Sequence, residues 1–215
     1  MLVSHRHKFI FIKAKKVSGT STEAYLERYC LSEEEEVTHV HTHGRDQYES
    51  EYGIIGSRLK KQNDKWHGHK SPSDIRKDLG KDKWNSYKKI CSIRNPFDIA
   101  VSLYFKTQRS GQEFNPSKED FYRFLNNNMQ TFLANKIFWK PDGSFSCDYY
   151  IRQEHLEEDI LKVINELGLH DYNQEMPQYK VTKDRKHYAE YYNERSKALI
   201  EKNFQDVLTY FNYSF

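Results

Sequence analysis

Two short apolar runs, each stopped by a polar turn that leads into a helical pattern, limit the possible folds of this chain more than any other feature. Residues 8–14 (KFIFIKA) favour β structure and are almost continuously apolar, which reads as a buried strand. Residues 15–19 break the run with Ser18 and Gly19. Thr20, Ser21, Thr22 and Glu23 then open a helix to Tyr29, with a hydroxyl placed to cap it and Glu23 three positions after Thr20, as in a capping box. Residues 87–93 (YKKICSI) repeat the theme as a second strand, ended by Arg94, Asn95 and Pro96, and Pro96 suits the first turn of a helix through Tyr104. Two strand–loop–helix units in one chain predict an α/β fold with a parallel sheet flanked by helices.

A third strand is expected at residues 148–152 (DYYIR). It precedes a helix at 156–167, where Leu156, Ile160, Leu161, Val163, Ile164 and Leu167 recur at helical spacing and Gly168 marks the stop. Residues 38–65 are polar and irregular and read as loops with one short helix near 54–61. Residues 73–79 form a short helix capped by Ser71 or Ser73 and ended by Gly80. Residues 118–139 are helix-rich, and a last helix covers 190–211. Apart from the acidic run Glu33 to Glu36 there is no low-complexity stretch, and no linker, so residues 1–215 are expected to form a single domain.

Composition narrows the function classes. Only 37% of the chain is apolar, but 16 Tyr, 13 Phe and 3 Trp bury a large area per residue, so the chain folds rather than staying disordered. With 34 basic and 31 acidic residues the net charge is +3, which lacks the polycationic character of a nucleic-acid binder but allows a local basic pocket for a small polyanion. Cys30, Cys91 and Cys147 are odd in number, far apart in sequence and without metal-ligand spacing, and read as reduced thiols of a cytosolic protein. The stretch from Phe9 to Ile12 is too short for a signal core or membrane span, so a cytoplasmic protein with no membrane span is expected.

Three constellations carry chemistry. The first, Lys15, Lys16, Val17, Ser18, Gly19, Thr20 and Ser21, joins a strand to a helix, whose N-terminal amides and dipole suit a phosphate; Lys16 adds a charge, Thr20 and Ser21 add hydroxyl donors. It departs from the G-x-x-x-x-G-K-[ST] loop because the Lys precedes the Gly, and it also reads as a capped turn with a solvated Lys pair. The second places Arg94 at the C-terminal end of a strand, where open α/β sheets bind ligands, with Ser102 two helical turns further on; the plainer reading is Arg94 pairing with Asp98. The third is Trp66-His67-Gly68-His69-Lys70. An imidazole titrating near neutrality suits proton transfer from a hydroxyl. A metal reading of the two histidines lacks a third ligand at convincing spacing, and His39, His41 and His43 read as loop, so no metal is expected.

Together these segments carry a resemblance. Phe9-Ile-Phe-Ile12 followed by Lys16-Val-Ser-Gly-Thr-Ser21 resembles the 5′-phosphosulfate loop of sulfotransferases that use 3′-phosphoadenosine 5′-phosphosulfate (PAPS). Ile93-Arg-Asn-Pro-Phe-Asp98 with Ser102-Leu-Tyr104 resembles their 3′-phosphate motif. His67-Gly-His69 is similar to the catalytic region of uronosyl 2-O-sulfotransferases, and the stretch from Gly68 to Ile75 is similar to the segment that precedes the 3′-phosphate motif. Residues 150–156, Tyr191-Tyr192 and residues 211–215 are similar to the C-terminal half, so the likeness runs from residue 8 to the C-terminus. That family usually has Pro where Lys15 stands, often His at Lys13 and Gly or Ala at Ser18, and commonly Arg at Ile99.

The resemblance implies a three-layer α/β/α domain with a central parallel sheet, P-loop-like, and the nucleotide across the C-terminal ends of the first and third strands. It implies Lys15, Lys16, Ser18, Gly19, Thr20 and Ser21 at the 5′-phosphosulfate and Arg94 with Ser102 at the 3′-phosphate. Lys183 and Arg185, in a basic loop before the last helix, are expected to reach that same phosphate. His69 would take the acceptor proton, His67 being the alternative base, while Lys16 steadies charge on the leaving phosphate; the product is the 3′,5′-bisphosphate PAP. The expected acceptor is a hydroxyl, on a glycan or other small compound. Two other classes stay open: a P-loop nucleotide or small-molecule kinase, and a non-catalytic anion-binding protein on the same fold.

Overall fold

The computed structural model describes residues 1–37, 46–57, 64–107, 117–139, 147–172, 175–177 and 185–215. Its contacts group the chain into two units, Met1–Ile93 with Cys147–Lys180, and Arg94–Ser146 with Val181–Phe215.

The first unit holds a six-stranded sheet. Its strands are β1 (Leu2–Ser4), β2 (Phe9–Ile12), β3 (Tyr48–Glu49), β4 (Gly53–Ile55), β5 (Lys88–Ile93) and β6 (Tyr149–Arg152), in the order β3-β4-β1-β2-β5-β6. The three strands expected from the sequence are β2, β5 and β6, and they pair in parallel, Ile12 opposite Cys91 and Ile93 opposite Arg152. The sheet as a whole is mixed, not parallel, because β1 pairs antiparallel with both β2 and β4, and β3 with β4. Gly53–Ile55 is a strand where a short helix was expected near 54–61; three buried residues are too short to show a period, and residues 58–61 lie outside the described ones. β5 also stands between β2 and β6, so the parallel neighbour of the first strand is the second, not the third.

Helix α1 (Gly19–Leu26) follows β2, and α6 (Leu156–Glu166) follows β6. Both pack on the same side of the sheet, where Tyr25, Leu26, Ile160, Val163 and Ile164 join Leu2, Phe9, Phe11, Ile90 and Ile151 in one apolar core. All four residues of β2 are buried, as a near-continuous apolar strand requires. Asp159 fastens α6 to the sheet: its Oδ2 accepts from the Arg152 amide at 2.7 Å and Nε at 2.8 Å, and its Oδ1 from Nη2 at 2.6 Å. Two short helices precede β5, α2 (Pro72–Leu79) and α3 (Lys81–Ser86), and Ser71 caps α2 by accepting from the Asp74 amide. Gly80 and Gly168, at φ +90° and +63°, stop α2 and the α6 segment as the sequence predicts. The three cysteines are free and buried, and Cys147, brought beside Cys91, has its thiol pKa raised by burial and by hydrogen bonding to that neighbour.

The second unit contains α4 (Pro96–Thr107), α5 (Lys118–Leu133) and α7 (Glu194–Tyr210), with α7 against both others. Tyr104 and Tyr192 meet Phe121 at ring separations of 5.2 and 4.8 Å. At the start of α4, the Asn95 side chain accepts from the Phe97 amide at 3.1 Å and donates to the Ser214 carbonyl at 3.0 Å. Phe97 packs edge-on against Tyr192 and Phe215, so the C-terminal residues close over this turn. No helix among the described residues is long and apolar enough to cross a membrane.

Candidate functional site

The turn from β2 into α1 has an uncommon backbone. Lys16 and Ser18 lie at φ +67° and +54°, left-handed conformations that cost a residue with a Cβ about 1–2 kcal/mol each. Alternating backbone handedness of this kind turns amides inward to form an anion-binding concavity. Such cost is tolerated where the surrounding structure fixes it, most often at a functional turn. The helix begins on Gly19, and its first amides have no acceptor inside the helix. Ser18 is the residue before the helix, yet its side chain caps nothing; its carbonyl accepts from the amides of Ser21 at 2.9 Å and Thr22 at 3.2 Å. Lys15 is exposed, Lys16 and Ser18 are half-buried, and Gly19, Thr20 and Ser21 are buried.

The expected capping box is absent, because Glu23 turns inward. Its carboxylate is fully buried, with Oε2 accepting from Lys13 Nζ at 2.6 Å and Oε1 from the Met1 nitrogen. Lys13 reaches it by passing over Gly19: a Cβ at residue 19 would lie 2.7 Å from Lys13 Cγ. Glycine is therefore favoured here by the crossing side chain. One position before Glu23, the Thr22 hydroxyl meets that of Ser92 on β5 at 3.2 Å, tying α1 to the neighbouring strand.

Lys13 also reaches His69. Its carbonyl lies 3.0 Å from His69 Nδ1. A carbonyl can only accept, so Nδ1 carries the proton in the neutral ring and the lone pair is on Nε2. His69 is exposed at the surface, but burial of part of the ring, helped by the Lys13 charge, lowers its pKa below the usual imidazole value and leaves it neutral at pH 7. His67 is exposed too, and burial followed by the Lys70 charge lowers its pKa. The segment is anchored through its backbone, the Gly68 amide donating to Ser57 at 2.9 Å and the Lys70 amide to His67 at 3.1 Å.

In the second unit Arg94 donates Nε (2.8 Å) and Nη2 (2.5 Å) to Oδ2 of Asp98, while Arg185 Nη2 bonds Oδ1 of the same carboxylate. The plain pairing of Arg94 with Asp98 is thus present, and Asp98 also gathers Arg185. Ser102 is buried on α4 one turn beyond Asp98, on the same helix face. Lys183 lies outside the described residues, as do His39, His41 and His43.

Three residues of these clusters were not singled out as site residues in the sequence. Asp98 alone left a signal there, through its i,i+4 spacing from Arg94. Lys13 and Glu23 left none, since a lysine at a strand end and a glutamate early in a helix are ordinary surface choices. Among the described residues no group of three or more His, Cys, Asp or Glu could hold a metal ion.

Comparison with known proteins adds one relative, an uncharacterized protein from Archaeoglobus fulgidus, 32% identical over 97 residues that make up 44% of this chain and 79% of the archaeal one. The two belong to one family. The shared length covers most of the archaeal protein and less than half of this chain, and its description carries no activity. No family model and no solved structure matches the chain.

Proposed function

We propose that the protein is a PAPS-dependent sulfotransferase acting on a hydroxyl, with a P-loop-like fold. The observation that carries this reading is the pair of left-handed residues, Lys16 and Ser18, on the turn between β2 and the first amides of α1. A non-glycine turn strained in this way, with a lysine inside it, suits an anion at the C-terminal end of a parallel strand. The resemblance of Lys16 to Ser21 and of Arg94 to Ser102 to the two phosphate motifs supplies the choice of nucleotide. The residues fit the donor by type: cations, hydroxyls and amides, with the two carboxylates nearby already engaged, Glu23 by Lys13 and Asp98 by Arg94 and Arg185.

In this reading Lys16, Gly19, Thr20 and Ser21 hold the 5′-phosphosulfate, with Lys15 and Ser18 beside them, and Arg94, Ser102 and Arg185 hold the 3′-phosphate. When bound, PAPS supplies the sulfuryl group that passes to the acceptor oxygen, leaving PAP. His69 receives the acceptor's proton on Nε2, because Nδ1–H is committed to the Lys13 carbonyl. Lys16 steadies the charge left on the phosphate oxygen. The acceptor is a hydroxyl of a glycan or other small compound, and the protein acts in the cytoplasm.

Thermal shift with PAP, ATP and AMP tests the donor. Saturating PAP at about 100 times its Kd stabilises by about 2.7 kcal/mol, a rise of several degrees, and Lys16→Ala removes most of it. A shift with ATP alone points instead to a kinase, and no shift with any of the three removes the reading. Labelled PAPS with a panel of glycans and phenols then tests transfer; binding without transfer leaves an anion-binding protein.

A further inference from the structure

We infer that Asp98 is a positioning residue that sets specificity for the terminal phosphate, holding Arg94 and Arg185 as one two-armed clamp; this rests on the reading that those arginines receive the 3′-phosphate. Each oxygen of the carboxylate serves a different guanidinium, Oδ2 taking Nε and Nη2 of Arg94 and Oδ1 taking Nη2 of Arg185. The three side chains are only 12% to 16% exposed, so neither arginine is held loosely at the surface. Two guanidiniums this close repel each other, and a long side chain resists being fixed in one rotamer. A carboxylate between them offsets the repulsion and orders both before any ligand arrives, which is how preorganisation raises affinity.

The charge fits the ligand class. Two guanidiniums and one carboxylate leave one positive charge in the cluster, against the −1.5 to −2 that a phosphate monoester carries near pH 7. Planar guanidiniums bind phosphate with defined geometry, so the angle at which Asp98 presents them determines what is bound. Asp98 lies in the first turn of α4, where the helix dipole favours its negative charge, and Ser102 stands one turn further along the same face. A nucleotide lacking the terminal phosphate gains nothing from the clamp. Asp98 therefore acts on the difference between PAP and AMP rather than on nucleotide affinity in general.

Asp98→Asn gives the test a diagnostic sign. The amide keeps one acceptor and turns an NH2 donor toward the other guanidinium, releasing one arm. If Asp98 merely competed with phosphate for the arginines, removing its charge would tighten PAP. Isothermal titration of PAP and AMP with the full chain should show wild type preferring PAP at least tenfold, and Asp98→Asn losing about tenfold of that preference while AMP affinity moves less than twofold. Equal or tighter PAP binding by Asp98→Asn, with the preference intact, overturns the inference. Should Asp98→Asn fold poorly, Arg185→Met, which leaves the Arg94–Asp98 pair in place, must lose the preference in the same way, and an unchanged preference again overturns it. Wild type that does not distinguish PAP from AMP defeats the sulfotransferase reading itself and the clamp with it, an outcome separate from a wild-type preference that the variants keep.

Discussion

Gly19→Ala probes the crossing of a helix start by the Lys13 side chain. The added Cβ would stand 2.7 Å from Lys13 Cγ, 3.3 Å from Cε and 3.4 Å from Cδ. Carbon atoms pack comfortably at about 3.5–4.0 Å, so the lysine stem must move by about 1 Å. It cannot swing out freely, because its ammonium is held by Glu23 at 2.6 Å and both groups are buried. Overpacking of this size costs about 1–3 kcal/mol, against a gain of at most about 1 kcal/mol for alanine over glycine in a helix. The net loss is about 1–2 kcal/mol, which lowers Tm by roughly 2–8 °C in a chain of this size. Urea unfolding and calorimetry measure it directly. The decisive comparison is a double-mutant cycle with Lys13→Ala, which removes the crossing stem. In that background Gly19→Ala should cost nothing, giving a coupling of about 1–2 kcal/mol. The same cost in both backgrounds, or a Gly19→Ala protein as stable as wild type, refutes the steric reasoning.

Other consequences can be measured on the same protein. Ser18→Gly removes a left-handed penalty of about 1–2 kcal/mol and adds about 0.5–1 kcal/mol of glycine entropy, so it should stabilise by about 0.5–1 kcal/mol in urea, whereas Ser18→Ala, which keeps the Cβ, should not. His69 and His67 have lowered pKa values, as do His5 and His7, so below the unfolded value of 6.5 the unfolded chain binds more protons than the fold. Stability therefore falls as pH drops through about 6.5; Tm should be lower near pH 5.5 than near pH 7.5, and His69→Gln should narrow that difference, an unchanged difference counting against a neutral His69. Asp159→Asn exchanges an acceptor of three Arg152 hydrogen bonds for an amide and should cost about 1–2 kcal/mol in urea; no loss would mean that α6 is held to the sheet by its apolar face alone.

What was legible in the sequence follows element length and sequence separation. The strands at Phe9–Ile12, Lys88–Ile93 and Tyr149–Arg152 announced themselves because each is flanked by a turn or cap and followed by helical periodicity. Leu2–Ser4 and Tyr48–Glu49 did not, since two or three residues hold no detectable alternation and owe their state to partners elsewhere in the sheet. The turn after β2 could be located by its lysine, glycine and hydroxyls, but its left-handed residues could not, because Lys and Ser carry no preference for that conformation. His69 stood out by type, whereas its tautomer depends on a carbonyl 56 positions away. Glu23 shows the limit of local rules: a capping-box spacing was present, and a buried ammonium won the carboxylate instead.

The place of β5 bears on how the chain acquires its structure. Its partners come from opposite ends of the sequence, Phe9 pairing with Lys88 on one side and Tyr149 with Ile90 on the other. The β1–β2–β4 ribbon can assemble from the first quarter of the chain, but the parallel trio must wait until β6 exists. Long-range pairing of that kind slows folding and leaves strand edges open meanwhile. On a ribosome delivering about 5–20 residues per second, β2 would stand without its parallel partner for several seconds, and β5 without β6 for a few more. The apolar strand β2 is thus among the first made and among the last completed, and nascent chains cut short before Tyr149 should be markedly more prone to aggregate than the 215-residue chain.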